Sequence, residues 1–216
     1  KIYGESPYKS PTDMGVNMAG NFICDDDACR EASKQEIIRR YYAALNALVK
    51  GDASDKEAQK IELLMNMAGI TVSDRAVAVK ALERARETGG PAAALELEDG
   101  RIITGKTTNL LGASAALLLN VLKELAGLDH GLHIISPESI EPIQKLKVDY
   151  LKRKNPRLHT AEVLIALSAS AATNPDARLA LSQLPKLEGC QAHTSVMLSD
   201  VDIKIFKKLG VQLTCE

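Results

Sequence analysis

Residues Gly100 to Thr107 read GRIITGKT, the spelling G-x-x-x-x-G-K-[ST] in which backbone amides cradle phosphate, the lysine reaches its outer oxygens and the last hydroxyl meets magnesium. That chemistry needs small, turn-forming residues between the glycines, so that successive N–H groups converge on the anion. Ile102 and Ile103 stand there instead, and two β-branched neighbours favour extended backbone. Upstream, Leu95-Glu96-Leu97-Glu98 alternates with period two into Asp99-Gly100, a strong hairpin signal. Glu98 and Asp99 would also repel a phosphate. The stretch therefore predicts strand, tight turn, strand.

A second group survives that rejection. Lys106, Thr108 and Asn109 precede an apolar helical run, where a lysine and hydroxyls beside free N–H groups could hold an anion; the plainer reading is capping by Thr108 or Asn109 with a solvated Lys106. Of the histidines 130, 133, 159 and 193, none pairs at metal-ligand spacing, and His159, just before Thr160-Ala161-Glu162 at a helix start, stands out most. Tyr8, Lys9, Ser10, Thr12, Asp13 and Asn17 crowd a Gly- and Pro-punctuated opening segment with directional polar groups, as ligand-binding loops do. Cys24 and Cys29 bracket Asp25 to Asp27, either as a metal or redox pair or as incidental thiols at an acidic helix start. No three ligands occur at workable spacing, so no bound zinc is expected. No nucleophile-elbow spelling appears.

The elements that position these groups follow from periodicity. Residues 1–24 read as a polar loop. Residues 25–90 read as a helical subdomain, with helices after Asp25 to Asp27, after a Ser54/Glu57 capping box and from Ser73. From Ala92 the period switches, and residues 91–216 read as an α/β subdomain with strands at 93–98, 101–104, 132–135, 192–198 and 211–215 and helices between. Helical crossovers between the later strands imply parallel neighbours.

Composition limits function. The 216 residues are 45% hydrophobic and 25% charged, ordinary for a globular chain. Lys plus Arg number 27 against 28 Asp plus Glu, so no overall field draws in nucleic acid or an anionic membrane. No apolar tract is long enough to span a bilayer. Four cysteines without a C-x-x-C pair read as reduced thiols of a cytoplasmic protein. The chain starts at Lys1 without a leader and reads as a fragment of something longer.

The order of elements, with LELEDGRIITG leading into a helix, resembles the cytidine-deaminase-like fold. That resemblance implies an α-β-α sandwich on a five-stranded mixed sheet of order 2-1-3-4-5. The zinc ligands are lacking: GASAA at 112–116 offers neither ligand nor acid, and SPESI at 136–140 no cysteine. SPYKSPTDMGVNMAGN (6–21), CREASKQEIIRRYY (29–42), KTTNLLGASAALLLN (106–120) and KNPRLHTAEVLIALSASAATNP (154–175) resemble the C-terminal part of the bacterial uncharacterised protein family 0371. The resemblance implies an upstream region with its own Gly-rich G-x-G-S-G-K stretch suited to nucleotide and magnesium, and transfers no catalytic residues. The expected function is one wall of a nucleotide- or phosphate-ligand site in a transferase-type enzyme, built by the residues named above; the alternative is a non-catalytic oligomerisation or regulatory domain, as a homo-oligomer.

Overall fold

The structure, a computed structural model, describes residues 25–216. Two compact units divide between Arg75 and Ala76. In the first, α1 (Asp26–Lys50) packs against α2 (Asp55–Ala68). Asp25 caps α1 by accepting the Ala28 N–H at 2.9 Å, and Gly51 ends it with φ 79°, a left-handed turn that leaves Ala47 and Leu48 carbonyls satisfied. Ser54 starts α2 from extended backbone without a side-chain bond, so the expected capping box is not formed there. The reciprocal box sits instead at Thr71 and Asp74, around a short 3₁₀ turn (Val72–Asp74). The third helix, α3 (Ala76–Thr88), begins beyond it and belongs to the second unit.

There the hairpin forms as its alternation demands. Strand β1 (Ala92–Glu96) pairs antiparallel with β2 (Ile102–Lys106) in the register Ala92 to Lys106 and Glu96 to Ile102. The turn closes through Leu97 O to Gly100 N, with Gly100 at φ 82°. GRIITGKT is therefore a turn and an edge strand and wraps nothing. On β1, Ala93 and Leu95 face the main core with Leu117, Leu118 and Val121 of α4 (Ala113–Leu125), while Ala94 faces Val77 and Ala81 of α3. Both faces are covered, which is why Ala92 to Leu95 of β1 are fully buried.

The chain then runs through α5 (Pro137–Lys145), a π-helical turn (Leu146–Tyr150), α6 (Thr160–Ser170) and α7 (Pro175–Leu181) before β3 (Gln191–Thr194), α8 (Asp200–Lys208) and β4 (Gln212–Cys215). Strand β3 pairs antiparallel with β1 and parallel with β4. Among the described residues the sheet thus has four strands in the order β2-β1-β3-β4. This overturns the cytidine-deaminase-like sheet of five strands in the order 2-1-3-4-5. The missing strand is 132–135. Ile134 and Ile135 are buried as expected, but the Leu132 carbonyl accepts the Lys123 ammonium and its N–H turns back to Asp129 O at 3.1 Å. Burial alone does not make a ladder. With that segment irregular, β3 lies directly beside β1.

Among the described residues, no helix is long and apolar enough to cross a membrane. Cys29 and Cys190 are free thiols. Burial, together with Glu98 and Glu96, pushes the Cys190 thiol up, so it is an inert core group.

Candidate functional site

Strand β2 lies at the sheet edge with α4 packed directly on it, and the approach is set by Gly105. A Cβ there would fall against the Leu117 amide nitrogen and 2.5 Å from the Leu117 Cα. Lys106 follows as the last residue of β2, carried to the mouth of a cleft of about 740 Å³ between β2, α4 and the segment that leads into α5. Thr108 and Asn109 line the same cleft. Neither caps a helix: α4 begins at Ala113 with Gly112 before it, and the Thr108 hydroxyl closes a local turn by accepting the Leu110 and Leu111 N–H groups.

The cleft is asymmetric in chemistry. Its floor is aliphatic, from Leu111, Leu119, Ile134, Ile135 and Ile140, and its basic groups are Arg84, Lys106, Lys123 and His133. No carboxylate is among the described lining residues. Arg84 pairs one guanidinium nitrogen with Glu87 at 3.0 Å, while its Nε is buried without a hydrogen-bond partner among the described residues. Lys123, only 8% exposed, donates to the His130 and Leu132 carbonyls at 2.6 and 3.3 Å. Sequence reasoning missed both Arg84 and Lys123. Each sits in a helix whose periodicity says only which face is inward, and each reaches the cleft from a different element.

Burial holds the Lys123 amine below the usual lysine range, with Asp129 pulling the other way. Between that lowered native value and the ordinary one the unfolded chain binds more protons, so stability rises with pH across this window. Lys123→Met removes the slope. Melting curves taken stepwise from neutral to alkaline pH should show the natural protein gaining on the variant as pH rises; a difference that is flat, or that grows as pH falls, contradicts this assignment.

His159 lies elsewhere. It precedes α6 and lines a second pocket, with Lys147, Arg153 and Lys154. The structure thus brings Lys106, Thr108 and Asn109 together and separates His159 from them. Tyr8, Lys9, Ser10, Thr12, Asp13 and Asn17 lie outside the described residues, as does Cys24. No group of three or more His, Cys, Asp or Glu among the described residues could hold a metal ion.

Residues 73–216 match the family model "Domain of unknown function DUF1846, C-terminal", and residues 1–69 match its counterpart, "Domain of unknown function DUF1846, N-terminal". The chain belongs to the DUF1846 family. The junction of the two DUF1846 matches falls close to the division between the compact units. It is 58% identical over its whole length to the UPF0371 protein cu0538 of Corynebacterium urealyticum, of which it covers 44%. It is 54% identical to the UPF0371 protein DIP2346 of Corynebacterium diphtheriae, also covering 44% of it. The UPF0371 protein str1377 of Streptococcus thermophilus is 51% identical over 99% of the chain, which covers 43% of that relative. The resemblance to the uncharacterised family 0371 is therefore shown. The chain spans less than half the length of these DUF1846 relatives.

Proposed function

We propose that the cleft beside Lys106 binds a nucleotide-type ligand, phosphate against the basic groups and its less polar part against the aliphatic floor, and that this chain supplies one wall of a phosphoryl- or nucleotidyl-transfer site. The remainder of that site, and any magnesium that accompanies the nucleotide, belongs to the rest of the longer protein. The observation that carries the reading is the combination of Arg84, Lys106, Lys123 and His133 with an aliphatic floor and no lining carboxylate among the described residues. The cations Arg84, Lys106 and Lys123 face one concavity, and their charge favours an anion there. The unpaired Arg84 Nε adds a donor whose burial costs free energy until an acceptor arrives. Thr108 and Asn109 supply polar contacts at the same mouth.

Thermal unfolding of the full-length protein with Mg·ATP, ADP and pyrophosphate tests this. Saturating ligand should raise the melting temperature, and Arg84→Ala with Lys106→Ala should abolish the rise, each lost charge-assisted contact weakening binding by roughly tenfold or more. A rise that survives both substitutions sinks the cleft as the site.

A second reading, self-association, draws on α2, where Leu63, Leu64 and Met67 are 61%, 49% and 79% exposed. Light scattering distinguishes it: a monomer at micromolar concentration removes this reading and leaves the first untouched.

A further inference from the structure

The second pocket, about 550 Å³, lies at the start of α6 and α8 and is not used by the ligand proposed above. Behind it Asp202 is 1% exposed, and its carboxylate accepts three bonds: Thr160 N–H at 3.0 Å, Ser199 hydroxyl at 2.8 Å and His159 Nδ1 at 3.2 Å. The ring also closes a capping box with Glu162 at the start of α6, but a carboxylate only accepts, so we assign Nδ1–H as the donor of the neutral imidazole, which leaves the lone pair on Nε2. The ring is 44% exposed and lines the pocket, and Nε2 has no hydrogen bond among the described residues. Lys147 and Glu162 neutralise each other at 2.7 Å. Arg153 and Lys154 line the same pocket without an ion pair among the described residues.

The backbone that delivers those two cations is unusual. After the π-helical turn, Leu151 N–H returns to Leu146 O at 3.0 Å and Arg153 N–H to Lys147 O at 2.8 Å, with Lys152 between them at φ 53°. This is a helix-ending turn whose left-handed position ordinarily takes glycine. A lysine there is held at a cost of roughly 1 kcal/mol, and strain of that kind, like π-helical turns, gathers at functional sites.

We propose that this pocket is a second site, taking a phosphorylated small molecule, with Arg153 and Lys154 holding the phosphate and His159 as the proton acceptor. In the step, a substrate O–H bond breaks, its electron pair stays on oxygen and the proton passes to Nε2. Asp202 is a positioning residue: it fixes the ring tautomer and stabilises the imidazolium that results.

Ring-nitrogen NMR of histidine-labelled protein, assigned with His159→Gln, tests the proposal with inorganic phosphate and pyrophosphate as probes. Neutral His159 should carry its proton on Nδ1, and both probes should shift its ring signals saturably. Arg153→Ala/Lys154→Ala, two surface changes that spare the fold, should weaken that response at least about tenfold, whereas Arg84→Ala/Lys106→Ala should leave it unchanged. Asp202→Asn should move the proton to Nε2. An Nε2 proton in the natural protein, no response to either probe, or a response undiminished in the Arg153/Lys154 variant overturns it. Because the two double variants affect different pockets, failure here is distinguishable from failure of the first cleft.

Discussion

Gly105→Ala is expected to destabilise the protein by about 3 kcal/mol or more, at the upper end of what overpacking costs. The added methyl would meet the Leu117 amide nitrogen and Cα and the Ala116 carbonyl carbon, all helix backbone that cannot rotate aside as a side chain would. Relief requires α4 to lift from β2, and Leu117, Leu118, Val121 and Leu122 would lose contact with the sheet they cover. Chemical denaturation read by circular dichroism would show the midpoint falling without a change in slope. The sequence spelling assigns Gly105 a different job, close approach to phosphate, under which alanine would impair binding and leave stability near that of the natural protein. That outcome would contradict the packing account.

Asp202→Ala has the next largest expected effect, a loss of about 3 kcal/mol. Thr160 is fully buried, so its N–H would be left without an acceptor, and the Ser199 hydroxyl and His159 ring would lose the group that orients them. Asp202 also occupies the first turn of α8, where its charge is favourable to the helix. Ser199→Ala serves as the comparison, since it removes the cap and only one of the three bonds to the carboxylate and should cost about 1 kcal/mol. Equal losses for the two variants would mean that the carboxylate contributes only as a cap.

These residues also mark what the sequence carries. Period-two alternation into Asp99-Gly100 specifies the hairpin because strand and turn chemistry are local, and Ser199 with Asp202 announces the start of α8 for the same reason. The bond from Asp202 to His159 spans 43 residues and follows from no local rule. Leu132 to Ile135 misleads because hydrophobicity reports burial, whereas a strand also needs a neighbour for its N–H and C=O groups; the Lys123 ammonium takes the Leu132 carbonyl. The third helix starts at Ala76 rather than near Ser73 because the Asp74 carboxylate closes a separate turn on Thr71. Lys106, Thr108 and Asn109 converge since they lie close together in the chain where β2 ends, while Arg84 and Lys123 join them only through the packing of α3 and α4 about the sheet.

Amide NMR of the isotopically labelled protein titrated with Mg·ADP reads the basic cleft residue by residue. The amides of Lys106, Thr108, Asn109, Lys123 and His133 are expected to shift together along one saturable curve, and Arg84→Ala/Lys106→Ala should remove the curve while the remaining spectrum stays folded. Shifts scattered over surface lysines, rising without saturation and unchanged in that variant, would contradict the cleft as the site.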